Sequence, residues 1–300
     1  MTGGTSGIGL AAAQALMQSR VLLTVGARGA GHVPRPLEAG AVVLPLDLAS
    51  LESVRAFAAE IHAKGSPIDA LVLNAGMQAR DLDQRTIDGF ETTFAVNHLA
   101  HYLLLRLLAP LLADGARVIL TTSNLHDPRT NAVAPPYHAD PTRLAAGQTL
   151  LDDSRRDTMG PLRAYAAAKL CNVMTAMAFA QSELASARHL QVIAFNPGFT
   201  PGTGLTRNHH PAMRFVLRLV ARAQGIWRRQ NTVSGGGSIL AGLALGSIAS
   251  PNGKIYASQV NRELVWPAVS DLARDDAMTR RLWKESAAMV GLPIDEAGLG

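Results

Sequence analysis

The sequence predicts a doubly wound α/β fold, a parallel sheet in a three-layer α/β/α sandwich, as one domain over residues 1–300. Three observations carry this. Apolar runs of strand length alternate with helical segments, the pattern of a parallel sheet covered on both faces. A glycine-rich loop stands directly ahead of the first helix. Polar or glycine-bearing groups follow the carboxyl ends of four runs, where open α/β sheets bind their ligands.

The first ten residues contain Thr2-Gly3-x-x-x-Gly7-x-Gly9 and run into a helix from Ile8 to about Gln18. Such a loop brings backbone N–H groups close to a pyrophosphate at a helix N-terminus, where the dipole favours anions. Thr5, Ser6 and Ile8 complete the candidate cradle. The motif should follow a buried strand, yet only Met1 precedes it, so the first strand is expected to be missing or truncated, its residues lying upstream.

Val21–Ala27 is a continuous apolar run and ends in Arg28. An acidic residue there would hold the ribose hydroxyls of NAD, whereas arginine suits the 2′-phosphate of NADP. The expected cofactor is therefore NADP(H), with NAD the lesser option. The crossover that follows contains Pro34 and Pro36, which leaves little room for a helix. Ala41–Leu46 is the next strand, closing in Asp47-Leu48, and Ser53–Lys64 is an amphipathic helix.

Ile68–Leu73 is a strand closing in Asn74-Ala75-Gly76, and a helix from Phe94 to Leu112 carries Asn97. Arg117–Thr121 is a strand leading to Ser123, with His126 just after it, placed either to face substrate or to stabilise the loop. Residues 124–160 lack periodicity and read as an insertion over the active site. A helix from Leu162 to Ala187 carries Tyr165 and Lys169, one turn apart on a single face. An ammonium beside a phenol favours the phenolate, which suits proton exchange with an alcohol. The strand Leu190–Phe195 ends in Asn196-Pro197-Gly198.

Residues 199–230 form a candidate lid, in which Arg214, Arg218 and Arg222 make a basic stripe on an otherwise apolar segment. The stripe could close over substrate, rest on an anionic membrane surface through 211–229, or be a solvated face. A helix over Thr232–Leu245, a strand over Lys254–Ala257 and a terminal helix over Asp271–Met289 finish the chain.

The totals narrow the class. The chain is 48% hydrophobic and 17% charged, enough for one large core. Cys171 is the only cysteine, so no intrachain disulfide can form, and a reducing, cytoplasmic location is expected. No unbroken apolar run approaches the roughly 18 residues of a spanning helix, and no signal-peptide pattern opens the sequence. From Leu184 to Arg262 there is no Asp or Glu, which favours an anionic ligand or reflects an arginine-rich composition. No His-x-x-x-His or comparable metal spacing occurs, and no metal is expected.

Taken together, Thr2-Gly3-x-x-x-Gly7-x-Gly9, Asp47-Leu48, Asn74-Ala75-Gly76, Asn97, Ser123, Tyr165-x-x-x-Lys169 and Asn196-Pro197-Gly198 resemble the motifs of the short-chain dehydrogenase/reductase family over nearly the whole chain. Ala27-Arg28, the long gap from Ser123 to Tyr165, Lys169-Leu170-Cys171-Asn172 and Thr203-Gly204-Leu205-Thr206-Arg207 are similar to the branch of retinol dehydrogenases and protochlorophyllide reductases. The resemblance implies a Rossmann-type fold and hydride transfer between NADPH and a carbonyl or alcohol of a hydrophobic substrate, an activity on CH–OH/C=O groups. Ser123 would bind the carbonyl oxygen, Tyr165 exchange the proton, Lys169 lower the tyrosine pKa and bind the nicotinamide ribose, and Asn97 hold a water. Pro197, Gly198 and Thr200 or Thr203 would border the nicotinamide. Protochlorophyllide reductases carry a proposed proton-donating cysteine directly after Pro-Gly, where this chain has Phe199. The alternatives are a C=C reductase of that type and a non-catalytic NADP-binding protein on the same fold. A small hydrophobic substrate is the expected partner, with no nucleic acid; the chain could be a monomer or a homo-oligomer.

Overall fold

A computed structural model describes residues 1–29, 33–38, 40–131, 133–152, 157–200 and 231–294. The candidate lid beyond Thr200, with Thr203, Arg207, the arginine stripe and its membrane contact, lies outside the described residues.

Six runs pair in parallel, as expected from their apolar character. β1 (Leu23–Ala27) lies parallel to β2 (Ala41–Pro45). β3 (Ile68–Leu73), β4 (Leu112–Thr121), β5 (Gln191–Asn196) and β6 (Tyr256–Val260) form a second parallel set in that order. An antiparallel β7 (Glu263–Val265) closes its edge.

Met1 and Thr2 occupy the place of the strand expected ahead of the glycine loop. Thr2 bridges Gly26 of β1 in parallel, Gly26 N–H donates to the Met1 carbonyl at 3.0 Å, and Thr2 N–H donates to the Val72 carbonyl at 2.9 Å. Two residues thus join β1 to β3. They are too few to cover the neighbours' outer ends, and Leu22 stands fully exposed at 103%.

Successive side chains of the central strands serve opposite faces. Leu71, Leu73, Val118, Leu120, Val192 and Ala194 enter a core shared with the helices Leu51–Lys64, Thr92–Leu111, Gly160–Ala180 and Asp276–Met289. Val72, Ile119, Ile193 and Phe195 enter the other, under the helices Gly7–Gln18 and Val233–Leu245. This is the three-layer sandwich, with strands buried on both faces.

Several boundaries differ from expectation for local reasons. The segment Thr92–Leu111 starts earlier than expected because the Glu91 carboxylate accepts from Thr93 N at 2.9 Å and Phe94 N at 2.7 Å. It contains a π-turn at Ala95–Leu99, a form concentrated at functional sites. It has the length and hydropathy of a spanning helix, but most of it is buried in the core. The long helix stops at Ala180, where the Ser182 hydroxyl accepts from Ala185 N at 3.2 Å and starts the separate helix Glu183–Ala187. The insertion at 124–160 has structure of its own, a 3-10 turn over Asn124–His126 and a helix Pro141–Ala145 capped by Asp140.

Candidate active site

The glycine loop is set by close backbone approach. Gly3 has φ +66° and a Cβ there would lie 2.7 Å from Ala75 Cα; one on Gly9 would lie 2.0 Å from the Gly3 carbonyl oxygen. The Thr2 hydroxyl accepts from Asn74 N at 2.9 Å and Ala75 N at 3.0 Å, which fastens the loop to the end of β3. Asn74 Nδ2 reaches the Gly3 carbonyl at 3.4 Å, and its Oδ1 accepts from the Thr121 hydroxyl at 3.2 Å. Two strand ends and the loop are thereby held as one unit.

The helix Gly7–Gln18 begins with no acidic residue in its first turn and no side-chain cap from Ser6. Its first N–H groups are therefore open to an anion. Arg28 is exposed at the end of β1. Asp47 is also exposed; its Oδ1 accepts from Ala49 N at 3.0 Å, and its backbone N–H donates to Ser53 Oγ at 2.9 Å. That turn sets Leu48 beside it. A glycine loop with no room for side chains, an uncapped helix start and an exposed arginine fit a dinucleotide phosphate.

The candidate reacting groups come from the turn after β4 and from the helix Gly160–Ala180. Tyr165 and Lys169 are buried at 6% and 2% exposure. The Tyr165 hydroxyl faces the Ser123 side chain, whose oxygen accepts from Leu125 N at 3.3 Å. Lys169 Nζ lies 5.6 Å from the Tyr165 ring centroid and donates to the Thr121 carbonyl at 2.9 Å. A Cβ on Gly76 would lie 3.3 Å from Lys169 Nζ and 3.4 Å from Asn97 Oδ1. Thus Ser123, Tyr165, Lys169, Asn97 and Gly76 are brought to one place.

The electrostatics correct one expectation. Burial pushes the Tyr165 phenol well above its usual value, opposed only by the Ser123 hydrogen bond. The nearby lysine does not offset it, its Nζ being turned to the Thr121 carbonyl. Lys169 itself is lowered by burial to about 7. Its proton is loosely held near neutrality, with no carboxylate partner among the described residues.

Asn97 is fully buried, and its side chain is satisfied: Oδ1 accepts from Met77 N at 2.8 Å and Nδ2 donates to the Met77 carbonyl at 2.7 Å. Pro197 and Gly198 are in place at the end of β5. Gly198 N–H donates to Asn196 Oδ1 at 2.9 Å, and the Thr200 hydroxyl donates to the Pro197 and Gly198 carbonyls at 3.3 Å each. His126 donates through Nδ1 to the Ser123 carbonyl at 2.7 Å and packs edge-on against Tyr256, so it holds the loop.

Sequence reasoning missed three supports. Thr122 donates to the Lys169 carbonyl at 2.8 Å. The Thr121 carbonyl receives both Lys169 Nζ and, at 3.3 Å, Asn172 Nδ2. Asn231 holds the Pro197-Gly198 turn through bonds to the carbonyls of Pro197 (3.0 Å) and Gln259 (2.8 Å). Only the position of Thr121-Thr122 at a strand end signalled the first two; nothing near Asn231 in the sequence signalled the third.

A dinucleotide-type sheet with a serine, tyrosine and lysine at its carboxyl edge defines a class of nicotinamide-dependent oxidoreductases. A model of the short chain dehydrogenase family matches residues 1–139. Protochlorophyllide reductase B, chloroplastic, of Oryza sativa subsp. japonica is 30% identical, over 97% of this chain and 77% of its own length. Protochlorophyllide reductase A, chloroplastic, of Arabidopsis thaliana is likewise 30% identical, over 97% and 76%. Among solved structures, an uncharacterized protein from Mycobacterium Paratuberculosis aligns with a TM-score of 0.68 at 24% identity, covering 98% of this chain and 93% of that one. A blue fluorescent protein from a metagenomic library, in complex with NADPH, aligns at 0.58 with 20% identity over 87% and 94%. These two likenesses concern the fold. The chain belongs to the short-chain dehydrogenase/reductase family.

Proposed function

We propose that the protein is an NADP(H)-dependent oxidoreductase that interconverts a carbonyl and an alcohol on a hydrophobic substrate. The observation that carries this is Tyr165 facing Ser123, with Lys169 5.6 Å from its ring, at the strand ends. A protein that only bound nucleotide would have no use for a proton-transfer set.

When bound, the cofactor supplies or accepts the hydride. The Gly3–Gly9 loop and the start of the helix Gly7–Gln18 would hold its pyrophosphate, Asp47 and Leu48 its adenine end, and Asn74–Gly76, Pro197, Gly198 and Thr200 its nicotinamide half. Ser123 donates a hydrogen bond to the substrate oxygen as charge develops there. Tyr165, held protonated by burial, gives that oxygen its proton; in oxidation the same oxygen takes it back. Lys169 passes a proton towards the phenolate and favours its formation in the transition state.

The substrate assignment rests on exposed apolar side chains of the insertion and of the turn after β5. Tyr137 and Leu151 of the insertion line a cleft of about 380 Å³ together with the polar Asp152, Asp157, Thr158 and Arg163. Phe199 is 58% exposed directly after Gly198. A C=C reduction is the second reading, favoured by the names of the 30%-identical relatives. It lacks a proton donor at Phe199.

The test is NADPH consumption with hydrophobic aldehydes, ketones and conjugated enones, and NADP reduction with the matching alcohols. Turnover of carbonyls and alcohols supports the proposal, and turnover of enones alone replaces it with the second reading. Tight NADPH binding without turnover of any compound overturns it. For the cofactor, Arg28→Asp is expected to weaken NADPH binding about tenfold or more while leaving NADH within about threefold, from loss of one charge-assisted phosphate contact. Calorimetric titration of both cofactors checks this.

A further inference from the structure

His101 is 1% exposed, lies one turn beyond Asn97, and has no part in the chemistry described above. Its hydrogen bonds can be assigned without ambiguity. The Thr2 hydroxyl oxygen already accepts from two backbone N–H groups, Asn74 at 2.9 Å and Ala75 at 3.0 Å. Backbone amides only donate, so the hydroxyl proton must go elsewhere, and His101 Nε2 lies 3.0 Å away. Nε2 is therefore the acceptor. The ring proton sits on Nδ1, which donates to the Asn97 carbonyl at 3.1 Å.

These bonds close a circuit. Thr2 holds Asn74 and Ala75; the Asn97 side chain clamps both backbone groups of Met77. Gly76 lies between the two clamps, with the Lys169 ammonium next to it. Only His101 ties Thr2 to Asn97 within that circuit, and so it sets the span across which the loop 74–77 is stretched. Protonation would give Nε2 a hydrogen to place against a hydroxyl whose lone pairs are taken. Burial lowers the ring pKa to about 4, reinforced by the charge on Lys169 and opposed by the Asn97 bond, so the ring stays neutral.

We propose that His101 is a positioning residue, a two-ended strut between the Thr2 hydroxyl and the Asn97 carbonyl that couples the seating of the cofactor loop to the placement of Lys169. Its catalytic consequence rests on the function proposed above; its effect on cofactor binding does not.

The two ends of the ring can be separated by substitution. In His101→Gln the amide reaches towards the Nε2 position and can accept from Thr2; in His101→Asn it reaches only the Nδ1 position and can donate to Asn97. His101→Asn leaves a buried hydroxyl unpaired and is expected to weaken NADPH binding about tenfold. His101→Gln should bind NADPH within about threefold of the parent and instead lower kcat, shifting the pH profile, with little change in KM. Thr2→Val and His101→Asn should be non-additive in NADPH affinity, since they remove the same bond. Nitrogen NMR at neutral pH should show the Nδ1–H tautomer. An Nε2–H tautomer, additive effects, or NADPH binding within twofold of the parent in both His101 variants would overturn the proposal. NADPH titration and NMR decide the binding part even if no substrate turns over, so a failure of the enzymatic reading is told apart from a failure of this one.

Discussion

Replacing Tyr165 with phenylalanine is expected to lower turnover by about 10²–10⁴-fold, the range contributed by a positioned general acid, while NADPH affinity changes by less than about twofold. The substitution deletes one oxygen from a side chain only 6% exposed and keeps the ring in its packing. The hydroxyl's partner, Ser123, is half-buried and retains its bond from Leu125 N at 3.3 Å, so no fully buried polar group is stranded. The parts assigned to the cofactor phosphates, the Gly3–Gly9 loop and Arg28, are untouched. Steady-state kinetics together with direct NADPH titration measure the two quantities separately, and retained turnover would remove Tyr165 from the role of acid. The pH dependence carries a matching sign. The phenol, raised by burial, stays protonated across the neutral range, whereas Lys169 loses its proton as pH rises through about 7. For carbonyl reduction, kcat/KM is therefore expected to be level at lower pH and to fall above that value.

Much of the sheet was legible because its strands are short apolar runs with buried faces on both sides. β3, β5 and the inner part of β4 lie where continuous apolar character put them. The positions of Ser123, Tyr165 and Lys169 were legible because residues at strand ends and at helical spacing are placed by local geometry. What escaped depends on partners distant in sequence. The Thr2–His101 bond spans 99 residues, and Asn97 meets Met77 across 20. The direction of the tyrosine shift was misread for the same reason: four-residue spacing shows that an ammonium is near, but not that burial outweighs it. The break at Gln181-Ser182 was hidden by good helix formers on both sides, and β7 by being only three residues, Glu263–Val265. Met1 and Thr2 show how little chain is needed to join β1 to β3 at the glycine loop, and Leu22 shows what they leave uncovered.

Among the described residues one ion pair, Arg163–Asp157, ties the insertion at 124–160 to the helix Gly160–Ala180, and cutting it gives the second large effect. Arg163 Nε lies 2.8 Å from Asp157 Oδ2, with both side chains 7% exposed. Arg163 also donates to the Pro135 carbonyl at 2.6 Å and stacks on Tyr137 at 4.5 Å. The Thr149 hydroxyl donates to Asp157 Oδ2 at 2.6 Å. Asp157→Ala leaves a buried guanidinium without its counter-ion and is expected to cost about 3 kcal/mol, the lower end for such pairs because the adjoining cleft admits water. Denaturant unfolding at neutral pH measures it, and a loss below about 1 kcal/mol would show the pair to be no stronger than a surface one. Burial by itself raises the Asp157 carboxyl, but Arg163, Thr149 and Met159 N–H more than offset it and hold the group below the usual carboxylate range. A carboxylate depressed in the folded state stabilises above its unfolded pKa, and that contribution disappears as pH falls through the folded value. The parent should therefore lose stability on acidification below about pH 4 more steeply than Asp157→Ala does. The double variant Asp157→Leu/Arg163→Met removes both charges and should recover much of the lost stability. Without the tie from Arg163 to Pro135 and Tyr137, the cleft wall is no longer fixed to the helix that carries Tyr165, so KM should remain raised in the double variant even where the fold has recovered.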